Sequence, residues 1–280
     1  MTAPRAPPLS SSWSAKPPAA LPYSERMALR DITPPEQRRL RTLNLGAAAL
    51  HLAQGVAVVI LATDFALPIT ASYLAGPPGT PPGPATVLAE LPTGLAVAAF
   101  LLLSSLAHLI VGTVWFGNYI GDLSGKINRA RWVEYSFSST LMLVVISQLV
   151  GITDVGALIG ISGANVSMIL FGWLQEKYET PGSRGWLPFI FGCIAGIVPW
   201  LAILYYTIAP GSDAEPPGFV YAIVVSLFLF FNVFGLNQWL QYRAKGRWAD
   251  YLVGERSYII LSLVAKSLLA WQVFGGTLAA

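Results

Sequence analysis

The chain has 280 residues, of which 54% are hydrophobic and only 11% charged, with a mean hydropathy of +0.59 and a formal net charge of +3. A soluble domain of this size needs neither so much apolar sequence nor so little charge, which leaves a membrane protein. The single Cys193 cannot close an intrachain disulfide, and a soluble nucleic-acid binder is excluded because the basic residues follow the edges of apolar segments.

Residues 1–23 are rich in Pro, Ala and Ser and are read as a disordered tail. Residues 24–41 are polar and basic and end in EQRRLR, so 1–41 is expected to form an N-terminal tail. No secretory signal peptide is expected, because the first forty residues lack an apolar core. Seven apolar segments follow, at about 42–64, 93–120, 129–151, 154–176, 186–209, 218–242 and 252–277. Each is long enough to cross ~30 Å of hydrocarbon as a helix at ~1.5 Å per residue. They are too long and too unvaried for barrel strands. The expected fold class is therefore an all-α membrane protein, a seven-transmembrane-helix bundle spanning 42–280. Residues 66–92, ALPITASYLAGPPGTPPGPATVLAELP, read as a long Pro/Gly loop lying on the membrane surface or on a partner subunit. The short GITD connection at 151–154 makes segments three and four antiparallel neighbours.

Basic residues divide by side. Arg5, Lys16, Arg26, Arg30, Arg38, Arg39 and Arg41 precede the first segment. Lys126, Arg129 and Arg131 fall at the second connection, Lys177 and Arg184 at the fourth, and Arg243, Lys245, Arg247 and Arg256 at the sixth. The connections on the other side hold none. The expected topology has a cytoplasmic N-terminus and an external C-terminus in the cell membrane. One basic residue belongs to no connection: Lys266, midway along YIILSLVAKSLLAWQVFGG. It lies ~20 Å into the last segment, too deep for its side chain to reach water easily.

A bare ammonium at that depth costs about 3 kcal/mol or more. It must pair with a buried carboxylate, lose its proton or be covalently modified, as in a Schiff base. Glu134, inside the third segment, is the acid best placed to pair with it, whereas Asp64, Asp154 and Glu176 fall near segment ends and are expected to reach water. The third and seventh helices run the same way, and a lysine leans toward the start of its helix, toward the level of Glu134. Ser262 lies one turn before Lys266 and Ser138 one turn after Glu134, so each extends toward the gap. His51 and His108 fall at similar depth, with Gln54 and Ser104 one turn from them, giving one expected polar cluster. Such serines also bond their own i−4 carbonyls, and a packing role for the histidines is favoured over metal binding. The residues alone leave a structural Lys266–Glu134 ion pair and a functional lysine both open.

Seven helices with one lysine midway along the last resemble microbial-type rhodopsins. RWVEYSFSSTLM at 131–142, SYIILSLVAKSLLAWQVFGG at 257–276, WLQY at 239–242 and the inverted topology are similar to the heliorhodopsin family, from about residue 40 to the end. The resemblance implies all-trans retinal on Lys266 as a protonated Schiff base, with Glu134 as counterion and Ser138 and Ser262 helping to hold the proton. It implies that His51, His108, Gln54 and Ser104 form a polar cluster that transiently receives the proton. It also implies that Asn165, Met168, Trp200, Phe231 and Gln238 line or flank the polyene, and that the protein is a homodimer with residues 66–92 in the contact.

A pump needs buried acids on both sides of the lysine. Here the acid and both histidines lie on one side, so a light sensor that moves no ions is expected. The alternatives are a light-driven transporter using Asp64 or Asp154, and a retinal-free transporter binding a solute at the Lys266–Glu134 pair. Gly156, Gly160 and Gly163 suggest close helix packing and no more. No phosphate loop, zinc spacing or hydrolase triad is apparent, and no enzymatic activity is expected.

Overall fold

A computed structural model describes residues 30–208, 213 and 215–278. The expected tail at 1–23 lies outside these residues.

The first helix, α1 (Pro34–Leu61), starts eight residues before the apolar segment does. A local device explains this. Pro34 takes the first helical position, where its missing N–H costs nothing, and the Thr33 backbone N–H donates to Glu36 Oε2 at 2.9 Å. Arg30 braces the same carboxylate at 2.7 Å. The basic residues Arg38, Arg39 and Arg41 therefore belong to the first turns of a helix and not to a tail.

The stretch expected as a loop at 66–92 contains a hairpin, β1 (Ala66–Ala71) paired antiparallel with β2 (Thr86–Pro92). Its short strands, one holding Pro68, are separated by a long Pro/Gly connection that masks the alternation. The hairpin lies over the turn at 151–154. Thr70 N–H donates to the Thr153 carbonyl at 2.9 Å, and Gln148 Nε2 donates to the Pro68 carbonyl at 3.1 Å.

The second apolar segment is also not one helix. α2 (Thr93–Gly112) ends at Gly112, and α3 (Phe116–Ser124) follows as a separate short helix. It is amphipathic: Tyr119 and Leu123 pack with Leu40, Val111, Tyr251 and Leu252, while Gly117, Asn118 and Gly121 face outward. Four helices then follow close to their expected limits: α4 (Arg129–Leu149), α5 (Val155–Tyr178), α6 (Leu187–Ile208) and α7 (Gly218–Arg243). The last, α8 (Tyr251–Val273), runs into a π-helical turn at Phe274–Leu278.

Packing closes a ring. α1 meets α2, α2 meets α4, and α4, α5, α6, α7 and α8 follow in order, with α8 returning to α1. Six helices of the described residues are long and apolar enough to cross a membrane. The seventh, α4, fails only on composition, because it carries Arg129, Arg131 and Glu134 in its first two turns and a run of Ser and Thr after them. It can do so because it sits inward, presenting most of its surface to neighbouring helices. The outer faces are apolar, with Ile60, Leu106, Ile194, Leu201 and Leu229 exposed, as a hydrocarbon solvent requires.

The two ends differ. Toward the end bearing the hairpin, the interior is one apolar cluster that includes Val58, Val97, Phe100, Leu101, Val145, Ile146, Ile223 and Val273. Toward the opposite, basic end, buried polar and charged side chains such as Asn44, Asn128, Arg131, Glu176 and Glu255 lie beside the smaller apolar cluster around Leu40 and Leu123.

Candidate functional site

Lys266 is buried on α8, and its Nζ lies 2.7 Å from Glu134 Oε1 of α4. It also donates to Ser262 Oγ at 3.0 Å, one turn back on its own helix. The Tyr135 ring supplies a third face, with its centroid 5.2 Å from the ammonium. The cation is therefore held by an acid, a hydroxyl and an aromatic face, in a site with little access to water.

Glu134 has a second partner. Ser104 of α2 donates its hydroxyl to Glu134 Oε1 at 2.6 Å, and Ser104 Oγ also lies 3.0 Å from the Phe100 carbonyl. Ser104 thus belongs to the carboxylate and not to the histidines. Ser138, expected beside the ion pair, makes no hydrogen bond among the described residues, although it is fully buried and lines the cavity next to Lys266. The hydroxyl that holds the carboxylate comes instead from Ser104, across the interface between α2 and α4.

The histidines stack, with centroids 5.9 Å apart and rings 11° from parallel. Both nitrogens of His51 are buried without a hydrogen-bond partner among the described residues, while His108 Nδ1 meets Asn44 Oδ1 at 2.8 Å. Gln54 does not join them. It lies at the bundle surface, where its Oε1 accepts the Trp271 indole N–H at 3.0 Å. One helical turn carries it toward the hairpin end and out of the polar layer. Among the described residues, no three His, Cys, Asp or Glu side chains are grouped to hold a metal.

A cavity of about 510 Å³ runs from Lys266 between α4, α5, α6 and α7. This is the size of a drug-like ligand site, about 300–1,000 Å³. Its walls are mainly aromatic and apolar. Trp200 meets Phe231 edge-on at 5.3 Å, and Tyr135 meets Phe234 at 5.5 Å. Met168, Trp200, Phe231 and Gln238 all line it. Asn165 does not. Its amide nitrogen donates to Ser139 at 2.8 Å and Thr140 at 2.9 Å, tying α5 to α4. Gly172 leaves room for the Trp132 ring that forms one wall: a Cβ there would stand 2.6 Å from that ring.

Behind Trp132 and Tyr258 lies a cluster that the sequence reading missed. Arg131 is buried and bridges Glu176 of α5 and Glu255 of α8, each through its own guanidinium nitrogen. Its planar group also lies 4.0 Å from the Tyr258 ring centroid. Glu176 further accepts the Trp132 indole N–H at 2.6 Å, the Tyr251 hydroxyl at 3.0 Å and the Asn128 backbone N–H at 3.0 Å. Glu255 accepts the Tyr119 hydroxyl at 2.9 Å and the Asn128 amide at 2.8 Å. Glu176 was expected to reach water and Arg131 to belong to the charged rim. Both are instead drawn inward, because α5 and α8 each offer an acid at that level. Helical spacing could have found them: Arg131, Tyr135 and Ser138 share a face of α4, as Glu255, Ser262 and Lys266 do on α8.

Removing one member of such a cluster leaves charge buried and unpaired, at a cost of about 3–5 kcal/mol. Arg131→Ala is therefore expected to lower the thermal denaturation midpoint sharply. Arg131→Met combined with Glu176→Gln and Glu255→Gln is expected to recover most of the loss, read by the same melt.

A seven-helix ring enclosing an aromatic cavity that ends on a buried, acid-paired lysine is the architecture of a microbial rhodopsin, and solved structures agree. The light-driven proton pump rhodopsin of Coccomyxa subellipsoidea superposes with a TM-score of 0.58 at 17% identity, covering 85% of this chain and 96% of that one. The transmembrane domain of the Salpingoeca rosetta rhodopsin phosphodiesterase gives 0.58 at 13% identity, covering 92% and 95%. Cyanorhodopsin of Tolypothrix sp. NIES-4075 gives 0.56 at 14% identity, covering 85% and 95%. At these identities the likeness concerns the fold. Among curated proteins, none matches the sequence. The heliorhodopsin family model matches residues 40–278, and the chain belongs to the heliorhodopsin family.

Proposed function

We propose that this heliorhodopsin is a light sensor that binds all-trans retinal through a protonated Schiff base on Lys266, with Glu134 as counterion, and that it moves no ions across the membrane. The cavity fits the chromophore: its walls are mainly apolar and aromatic, it reaches from Lys266 between α4, α5, α6 and α7, and among the described residues its one amine is Lys266. Bound there, retinal supplies a light-driven isomerisation of its polyene. The chain's own residues do the rest. Glu134 balances the positive nitrogen, Ser104 holds the carboxylate, and Ser262 accepts the nitrogen-bound hydrogen. Ser138, unpartnered beside Lys266, is available to either group when their geometry changes.

The distribution of buried polar groups carries the non-pumping reading. His108 leads through Asn44 and the Tyr119 hydroxyl, 3.4 Å apart, to Glu255. A cavity of about 40 Å³ bordered by His108, Glu134 and Glu255 lies beside this chain and has room for about one water. A proton leaving the site thus has partners toward the basic end, with His51 and His108 nearest. Toward the hairpin end it meets the apolar cluster, while Asp64 is exposed and Asp154 is occupied in capping α5 through Gly156 and Ala157. Acids on one side alone can store a proton and return it, but cannot pass it across.

The charge asymmetry supports a cytoplasmic N-terminus and an external hairpin. A homodimer is supported by two exposed surfaces: among the described residues, the β2 strand is exposed along most of its length, and a Cβ at Gly160 or Gly163 on the outer face of α5 would meet no atom within 4 Å.

Illumination of cells expressing the retinal-bound protein, followed with a pH electrode, tests the sensor reading. No sustained pH change is expected. A steady light-driven change abolished by a protonophore would establish the transporter instead.

A further inference from the structure

The basic end carries a second recess, separate from the lysine site. It measures about 460 Å³ and is formed by Gly182, Ser183, Arg184 and Trp186 of the α5–α6 connection, with Trp239, Tyr242, Arg243 and Lys245 at the end of α7. Three cations line it and no carboxylate does. Arg184, Arg243 and Lys245 are exposed, and among the described residues none of them makes an ion pair. The Arg243 guanidinium carbon lies over the Trp239 ring, 4.8 Å from its centroid, and stacking on a ring still leaves guanidinium N–H groups able to donate. The Glu179 carboxylate stands beside the recess, where its Oε2 accepts the Ser183 hydroxyl at 3.0 Å, and its negative charge leaves the cations in excess. Elsewhere on this end, Arg30, Arg129 and Arg256 each face a carboxylate.

We propose that this recess binds the phosphate headgroup of an anionic phospholipid. Among the described residues, three cations without an ion-pair partner line one recess and outnumber the single carboxylate beside it, which calls for an anionic ligand, and the guanidinium groups match a phosphodiester. The surroundings identify it as a lipid. Trp186 and Trp239 stand at the end of the spanning helices, where indoles mark the level of headgroups. From the recess toward the hairpin end, the adjoining faces of α6 and α7 are apolar and open, with Leu187, Ile190, Val233 and Leu236 exposed. An acyl chain leaving the headgroup site therefore has an apolar track to follow, which a soluble phosphate would not need. Trp239 also lines the large cavity, so a bound lipid would adjoin the wall of that cavity. The proposal depends on the bilayer placement and not on the chromophore.

Native mass spectrometry of the purified full chain with mixed phosphatidylglycerol and phosphatidylcholine provides the test. The wild type is expected to retain phosphatidylglycerol selectively, and the triple variant Arg184→Gln, Arg243→Gln, Lys245→Gln to lose about tenfold or more of that retention. The variant Arg38→Gln, Arg39→Gln removes two exposed cations from α1 at the same end and is expected to retain the lipid as wild type does. Should the triple variant not purify as a monodisperse protein, Arg184→Gln, Lys245→Gln alters exposed connection residues alone and is read the same way. Equal retention of both lipids, or an equal loss in the α1 variant, overturns the site. Full displacement of the phosphatidylglycerol by inorganic phosphate overturns the lipid assignment in favour of a soluble anion.

Discussion

Lys266→Ala is expected to abolish the visible absorption band that the wild-type protein acquires on reconstitution with retinal. The expected effect is complete loss, because no other amine of the described residues lines the cavity. The described lysines Lys126, Lys177 and Lys245 all lie at the basic end, outside it. The substitution also strands Glu134 in a buried position with Ser104 as its remaining donor. Breaking a buried pair in this way costs about 3–5 kcal/mol, so loss of colour by unfolding has to be separated from loss of the attachment point. Lys266→Ala combined with Glu134→Gln removes the stranded charge. That double variant is expected to melt nearer the wild type and still to show no band. A visible band persisting in either variant would refute attachment at Lys266, and with it the photoreceptor reading.

Glu134→Gln is expected to move the band to the red and to make the coloured, protonated form bleach at a lower pH than in the wild type. The carboxylate stands 2.7 Å from the lysine nitrogen, in surroundings that leave Glu134 itself about 10% exposed. An opposite charge so close favours the charged nitrogen, and in a poorly hydrated site the effect is weakly screened. Its removal is expected to displace the spectroscopic titration by about 1–3 pH units. The red shift has the same origin. The counterion confines positive charge near the nitrogen, and without it the charge spreads along the polyene. Ser104→Ala, which removes only a hydrogen bond to that carboxylate, is expected to act in the same direction and more weakly. An unchanged titration in Glu134→Gln would assign the counterion role elsewhere, with Glu255 the next buried acid toward the basic end.

The ion pair was legible from a count of charges. Sixteen of seventeen basic residues fall at segment edges, and the one left over needs an acid within a membrane span, where Glu134 is the clearest choice. The family resemblance adds the expectation of a chromophore at this pair, and composition alone would have left an ion pair and no more. The hairpin at Ala66–Ala71 and Thr86–Pro92 was not legible, because its pairing depends on the turn at Thr153 beneath it and on strands too short to declare themselves. The Arg131 cluster was misread for a related reason. A charge near the end of an apolar segment looks solvated in one dimension, and only the neighbours show that it is not.

The sequence by itself determined that the chain spans a membrane, that seven apolar segments do so, that the two ends differ in charge, and that Lys266 needs an acid. These are properties of composition and of one-dimensional position, which hydrocarbon reads directly. Tertiary structure alone decided which groups share an oxygen atom. At ~1.5 Å per residue, Glu255 to Lys266 and Arg131 to Glu134 differ in rise by about 12 Å, although Arg131 and Glu255 are level. The reach of the lysine back along α8 and the approach of the helices bring Lys266 to Glu134, set Ser104 in the place foreseen for Ser138, and turn Gln54 outward to Trp271. Side-chain direction and helix neighbours set those contacts, and neither is written in the spacing of a single segment.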